Sequence, residues 1–297
     1  MIFINYYDEI KNELVNNEIT KKVKDYSKNR SDLTTYYNVG KLLSEAGKHY
    51  GEGIIKEYSK RLTNEFETKF GITLLKRIRQ FYIVIEKGAT MSHQLSWSHY
   101  CELLPVNSID KINYYIKITK EQNLSIRELR AKIKNNEYER LDESTKEKLK
   151  EKEELKLPDL VKNPIQIKNT SGNNEISEKV LQKLILEDIP SILQQLGNGF
   201  TFVRNEYKIK IGDRYNYIDL LLFNYEFNCF VVVELKVSEL KKEHIGQIEF
   251  YMNYIDKNLK NINQNKTIGI IICKKENRYV IEYCSDDRIL AREYELI

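Results

Sequence analysis

Cysteine, proline and tryptophan are scarce in this 297-residue chain, at four, four and one. Cys101, Cys229, Cys273 and Cys284 lie far apart, with no CxxC and no cluster with histidine. That spacing speaks against a disulfide scaffold or a zinc site, and the four are read as buried, reduced thiols. No stretch approaches the roughly 18 to 20 consecutive apolar residues of a membrane span, so a helical membrane protein is excluded. The amino terminus, MIFINYYDEIKNEL, has no basic n-region and meets Asp8 and Glu9 at once. No secretory or transit signal is readable there, and the cytoplasm is the expected compartment. A strong charge of one sign is missing too: 48 Lys and Arg face 44 Asp and Glu, leaving +4. Any nucleic-acid surface would therefore have to come from local clustering. Tyrosine, by contrast, is abundant at 21 residues. Such rings can stack on bases, although an AT-rich coding bias toward Lys, Asn, Ile and Tyr explains the number as well.

The length suits two domains, each with its own core. Up to about residue 141 the pattern is helical. YYNVGKLLSEA (36–46), IIKEYSKRLTNEF (54–66) and TLLKRIRQFYIVI (73–85) carry apolar residues at three- and four-residue spacing. SWSHYCELLPV, SIDKINYYIKITKEQN and SIRELRAKIKNNEYERL continue it, the last with Ser125 as N-cap and Glu128 completing a capping box. Trp97 reads as core, and the four histidines as structural or surface residues. Residues 142–174, charged and then carrying Pro158, Pro164 and TSGNN, read as a linker. From 175 to 297 the pattern changes. A helix, SEKVLQKLILEDIPSILQQLG, precedes the strand-like runs FTFVRNEYKIKI, YNYIDLLLF, CFVVVELKV, TIGIIIC and YVIEYC, with a helix HIGQIEFYMNYIDKNL between the third and the fourth. The expected architecture is an all-helical domain followed by a mixed α/β sheet flanked by helices.

Two of these runs contain ionisable residues. A Glu-x-Lys triplet means little in a chain so rich in both, and it recurs at Glu9, Glu67, Glu154, Glu206 and Glu239. Glu234 differs because it ends the apolar CFVVV, which should be a central, doubly covered strand. Strand periodicity puts Lys236 on its face. YIDLLLF carries Asp219, and a loop of four to six residues beginning near Asn224 would return the chain antiparallel and set the two acids side by side. Burying two carboxylates in contact costs several kcal/mol each. One resolution is a divalent cation such as Mg²⁺ or Mn²⁺ held by both, with Lys236 stabilising charge or handling an attacking water, the parts of phosphodiester hydrolysis. The other is an ion pair of Glu234 with Lys236 at a strand end, with Asp219 capping a turn.

The Asp219 and Glu234-Leu235-Lys236 pair resembles the PD-(D/E)xK nuclease superfamily. More closely, LGNGFTFVRNEYKIKIGDRYNYIDLLLFNYEFNCFVVVELKVSEL followed by HIGQIEFYMNY is similar to the nuclease domain of the YhcG-like family. YYNVGKLL, YGEGIIKEYSKRL, RIRQFY, LSWSHYCELL and SIRELRAKI occur in that family's order in its helical domain. The resemblance implies a restriction-endonuclease-like sheet domain and a Mg²⁺- or Mn²⁺-dependent DNA endonuclease. Asp219 and Glu234 would be metal ligands, Lys236 the catalytic lysine, and Gln247 and Tyr251 catalytic residues that could touch the scissile phosphate or the lysine. Glu178 and Glu187 are candidates for an added helix carboxylate, but the best-aligned position is Gln182. Asn113 and Leu124 also depart from the family's usual Arg and Trp. That missing acid keeps a second reading open, a catalytically silent DNA- or protein-binding module. Lys76, Arg77 and Arg79, with Arg127 and Arg130, could present a phosphate-binding face or equally a solvated or subunit-docking one. A homodimer built through the helical domain is expected, since double-strand cuts commonly need two sites, and a protein partner in a defence or toxin-type system follows from the resemblance alone.

Overall fold

The computed structural model describes residues 6–23, 28–51, 53–66, 70–170, 172, 175–283 and 286–297. The chain divides into two compact units between Tyr138 and Glu139. The first contains α1 (Tyr6–Val23), α2 (Lys28–Tyr50), α3 (Ile54–Glu65), α4 (Ile72–Glu86), α5 (Trp97–Leu103), α6 (Ile109–Gln122) and α7 (Ile126–Lys134). The capping box at α7 forms as its sequence dictates: Glu128 N–H donates to Ser125 Oγ at 3.3 Å, and Ser125 N–H to Glu128 Oε2 at 2.8 Å. Ile10, Leu14, Val39, Leu43, Leu62, Leu75 and Ile78 make a fully buried core. Trp97 joins it, tilted against Tyr36 and edge-on to Phe81. His99 is structural, its Nδ1 accepting from Ser96 N–H at the start of α5.

The second unit holds α8 (Glu143–Glu151), α9 (Leu157–Leu160), β1 (Ile165–Ile167), α10 (Glu178–Glu187), α11 (Ile189–Leu196), β2 (Phe200–Ile211), β3 (Arg214–Asn224), β4 (Cys229–Glu239), α12 (Lys242–Asn258), β5 (Ile268–Lys275), α13 (Arg278–Glu282) and β6 (Ile289–Leu296). The six strands form one sheet in the order β1-β6-β5-β4-β3-β2. β2, β3 and β4 are antiparallel, and β4, β5, β6 and β1 are parallel. α10 and α11 cover one face, through Leu181, Leu184, Ile185 and Ile192. α12, the crossover between parallel β4 and β5, covers the other through Ile248, Tyr251, Met252 and Ile255. β4 is thus the doubly covered strand that CFVVV implied.

Three segments differ from the sequence expectation. The stretch read as a linker carries α8, α9 and β1, and it belongs to the second unit. Buried Arg292 on β6 explains why: its guanidinium donates to Val161 O at 3.2 Å and to Asp142 Oδ2 at 2.8 Å, tying that charged stretch to the sheet. The single helix expected over 177–197 is two, because Pro190 cannot donate into a continuing helix and Asp188 caps the second, accepting from Ser191 N–H. Residues 279–282 of YVIEYC are not strand but helix, within α13, started by Asn277, whose side chain accepts from Val280 N–H. The last strand lies in the more polar ILAREYEL, outside the strand-like runs of the sequence. Cys101, Cys229 and Cys273 are free thiols; Cys284 lies outside the described residues.

Gly40 sets the close crossing of α2 on α4. A Cβ there would stand 2.5 Å from Ile78 O and 2.6 Å from Tyr82 Cβ. Gly40→Ala is expected to destabilise the protein by about 1–3 kcal/mol through overpacking. A thermal unfolding midpoint equal to that of wild type would contradict this.

Candidate active site

The β3–β4 ladder runs from Asn224 opposite Cys229 to Leu220 opposite Val233 and stops there. The next positions are Asp219 and Glu234. In place of a ladder bond, Leu235 N–H donates to Asp219 Oδ2 at 2.8 Å, while Asp219 N–H reaches Glu234 Oε1 at 3.4 Å. The strands part where the two acids sit, and side-chain oxygens take over the backbone bonding. The turn that creates the register is short: Asn224, fully buried, accepts at Oδ1 from the N–H groups of Glu226 and Phe227. Lys236, two residues on and on the same face, places Nζ 3.3 Å from Glu234 Oε2. Glu234 is 2% exposed and Lys236 8%.

This burial shapes the electrostatics. Loss of water pushes the Glu234 carboxyl up to about 7; the Asp219 charge adds to the rise, and Lys236 opposes it. Asp219 is raised as well, by burial first, against the pull of the Leu235 N–H and Lys236; Glu178 and Glu206 push it further. Glu206 sits on β2 with a left-handed backbone, φ 46°. It is one of the five triplets set aside as uninformative, so its place beside Asp219 was missed; only the strand pairing could have disclosed it.

α10 approaches the site from the other side. Gln182 Nε2 donates to Asp219 O at 3.3 Å. Glu178, one turn earlier on the same helix face, is near enough to act on Asp219 and on His244. Glu187 is not brought to the site. Helical periodicity turns it half-way round from Glu178, and its carboxylate accepts from Thr170 Oγ1 and faces Lys183. On α12, Gln247 Nε2 donates to Tyr251 OH at 3.2 Å. Burial, then Glu234 and Asp219, raise the Tyr251 hydroxyl's pKa. His244, at the start of α12, is lowered by burial and by Lys236 and Lys241. In the helical unit, Lys76, Arg77 and Arg127 are exposed. Arg130 is committed to a bidentate pair with Glu102, at 2.9 and 2.6 Å. Glu102 is held below the usual carboxylate range by that bond, with Arg77 adding a smaller pull. Part of the expected basic face therefore holds α5 to α7.

The donor set suits a hard divalent cation: two adjacent carboxylates, Glu234 buried and Asp219 half-buried, whose mutual repulsion a cation would relieve, with Asp219 Oδ1 uncommitted among the described residues. Among those residues no group of three His, Cys, Asp or Glu converges at metal-ligand range. Glu178 supplies charge nearby.

Residues 158–297 match the YhcG PDDEXK nuclease domain and residues 9–140 the DUF1016 N-terminal domain. The chain belongs to the YhcG-like nuclease family. A curated relative, the provisionally named nuclease YhcG of Escherichia coli (strain K12), is 25% identical over 330 residues, covering 95% of this chain and 88% of its own. Two solved structures are also similar. A repair endonuclease from Pyrococcus abyssi has 18% identity and a TM-score of 0.30, over 43% of this chain and 50% of its own. The complex named EndoMS-dsDNA2 has 18% identity and a TM-score of 0.32, over 43% and 49%. Among the described residues no helix is long and apolar enough to cross a membrane.

Because the folded Glu234 carboxyl titrates near 7 rather than 4.5, the folded state binds its proton more tightly than the unfolded chain does. Its contribution to stability is present below about 4.5 and is lost as pH rises through about 7. In chelator-treated buffer, Glu234→Gln is expected to gain on wild type across that window, by on the order of 2–3 kcal/mol at its upper end. A difference in unfolding free energy that does not vary with pH would show that Glu234 is not so perturbed.

Proposed function

We propose that this nuclease is a metal-dependent DNA endonuclease that hydrolyses phosphodiester bonds. The observation that carries the reading is the contact of Asp219 and Glu234 where β3 and β4 part, with Lys236 paired to Glu234. Asp219 and Glu234 would hold one Mg²⁺ or Mn²⁺ ion. Bound there, the ion supplies Lewis-acid polarisation of a phosphate oxygen and a more acidic water.

The chain's own groups do the rest. The Lys236 ammonium, fixed by Glu234 within the sheet, faces the same space as the acids and stabilises charge developing on the phosphate while orienting the attacking water. Gln247 and Tyr251 are hydrogen-bonded to each other on α12, beside the acids that perturb Tyr251. They position the phosphate or the lysine. Gln182 fixes the Asp219 backbone through its carbonyl, and Glu178, not Glu187, is the helix carboxylate placed to add charge. In this reading the exposed Lys76, Arg77 and Arg127 of the helical unit contribute salt-dependent attraction to DNA.

Lys236→Ala and Glu234→Gln are each expected to lower the rate of DNA cleavage at least about 10²-fold while the protein stays folded. Cleavage at the wild-type rate by either variant would remove these residues from the site. A wild-type protein that binds DNA but cuts neither single-stranded, duplex nor branched substrates with Mg²⁺ or Mn²⁺ would favour a silent binding module, the reading that the amide at Gln182 supports.

A further inference from the structure

The parting of β3 from β4 also frees a second structure. Beyond Leu220 toward its start, β3 pairs only with β2, the edge strand, from Ile218 opposite Tyr207 to Arg214 opposite Ile211. One face of this two-stranded arm is anchored: Ile209 and Ile218 are fully buried in the core that α12 covers. The other face is open. Tyr215 is 52% exposed and Tyr217 51%. Directly across from them stand Lys210 and Lys208, and Lys208 Nζ lies 3.8 Å from the Tyr215 ring centroid.

Lysines on an edge strand are a common guard against strand addition. Two half-exposed tyrosines are the opposite of such a guard, and neither hydroxyl makes a hydrogen bond among the described residues. Their spacing suggests what covers them. Alternate residues of a strand are about 6.7 Å apart, whereas stacked bases along one strand of a duplex repeat at about 3.4 Å. Successive bases can use both rings only where the nucleic-acid strand is unpaired and extended. Asp219 follows Tyr217 by two residues on β3.

We propose that this face of the β2–β3 arm is a stacking platform for unpaired bases, with Lys208 and Lys210 facing the phosphates. The preferred substrate is then DNA with a single-stranded segment next to the bond to be cut. This inference rests on the nuclease reading of Asp219 and Glu234.

The test uses the full chain carrying Glu234→Gln, in chelator, with a dye-labelled oligothymidylate and a blunt duplex of the same length followed by anisotropy. Replacing Tyr215 and Tyr217 together by Ala is expected to weaken oligothymidylate binding at least about tenfold and leave duplex binding unchanged, whereas Phe at both positions preserves both. Lys208→Ala is expected to weaken both probes and reduce the salt slope by about 1. Equal losses on the two probes with Ala, or no loss on either, would overturn the platform while leaving the nuclease reading in place. Failure of the parent protein to bind oligothymidylate would also overturn the platform, whereas the nuclease reading stands or falls on the cleavage rates of wild type, Lys236→Ala and Glu234→Gln.

Discussion

Everything at the candidate site depends on two acids held side by side where the β3–β4 ladder ends. The β3–β4 ladder ends at Leu220, and Asp219 spends an oxygen on the Leu235 N–H that the ladder no longer satisfies. That exchange keeps the backbone bonded while it opens the space between the strands. It also places Asp219 against Glu234, whose burial and charged neighbour together push its carboxyl up to about 7. An apolar pair at these positions would pack at no such cost. Retaining two acids and a lysine there makes physical sense if a positive charge is brought in.

The same parting organises the surroundings. Beyond the end of the β3–β4 ladder, the β2–β3 arm is anchored on one face by Ile209 and Ile218, with Tyr207 and Ile211 beside them, and exposes its other face. α12 closes the site from one side with Gln247 and Tyr251, and α10 from the other with Gln182 and Glu178. α12 is there because parallel β4 and β5 require a crossover; α10 packs on the opposite face through Leu181 and Ile185. Arg292 ties the stretch before β1 to β6, so that a segment rich in Lys and Glu is nonetheless part of the domain.

How much of this was legible in the sequence depended on the reach of each interaction. The Ser125–Glu128 box, the Asn224 turn, the Asp219–Glu234 apposition and the α12 crossover follow from local pattern plus one pairing, and they could be read directly. What could not be read was set by partners far along the chain. Asp142 is held by Arg292, 150 residues away, which composition cannot disclose. Glu206 looked like a decoy because its importance lies across a strand pair, and Glu187 looked like a ligand because only the helix phase separates it from Glu178. YVIEYC has an apolar pattern as consistent with a helix as with a strand, and the Asn277 cap decides between them.

Calorimetric titration of the chelator-treated full chain with Mn²⁺ tests the central claim most directly. One ion bound per chain in the wild type, and none in Asp219→Asn at the same concentrations, is the expected result. Undiminished binding by the Asp219→Asn protein, or none by the wild type, would show that the acids are not paired to hold a cation.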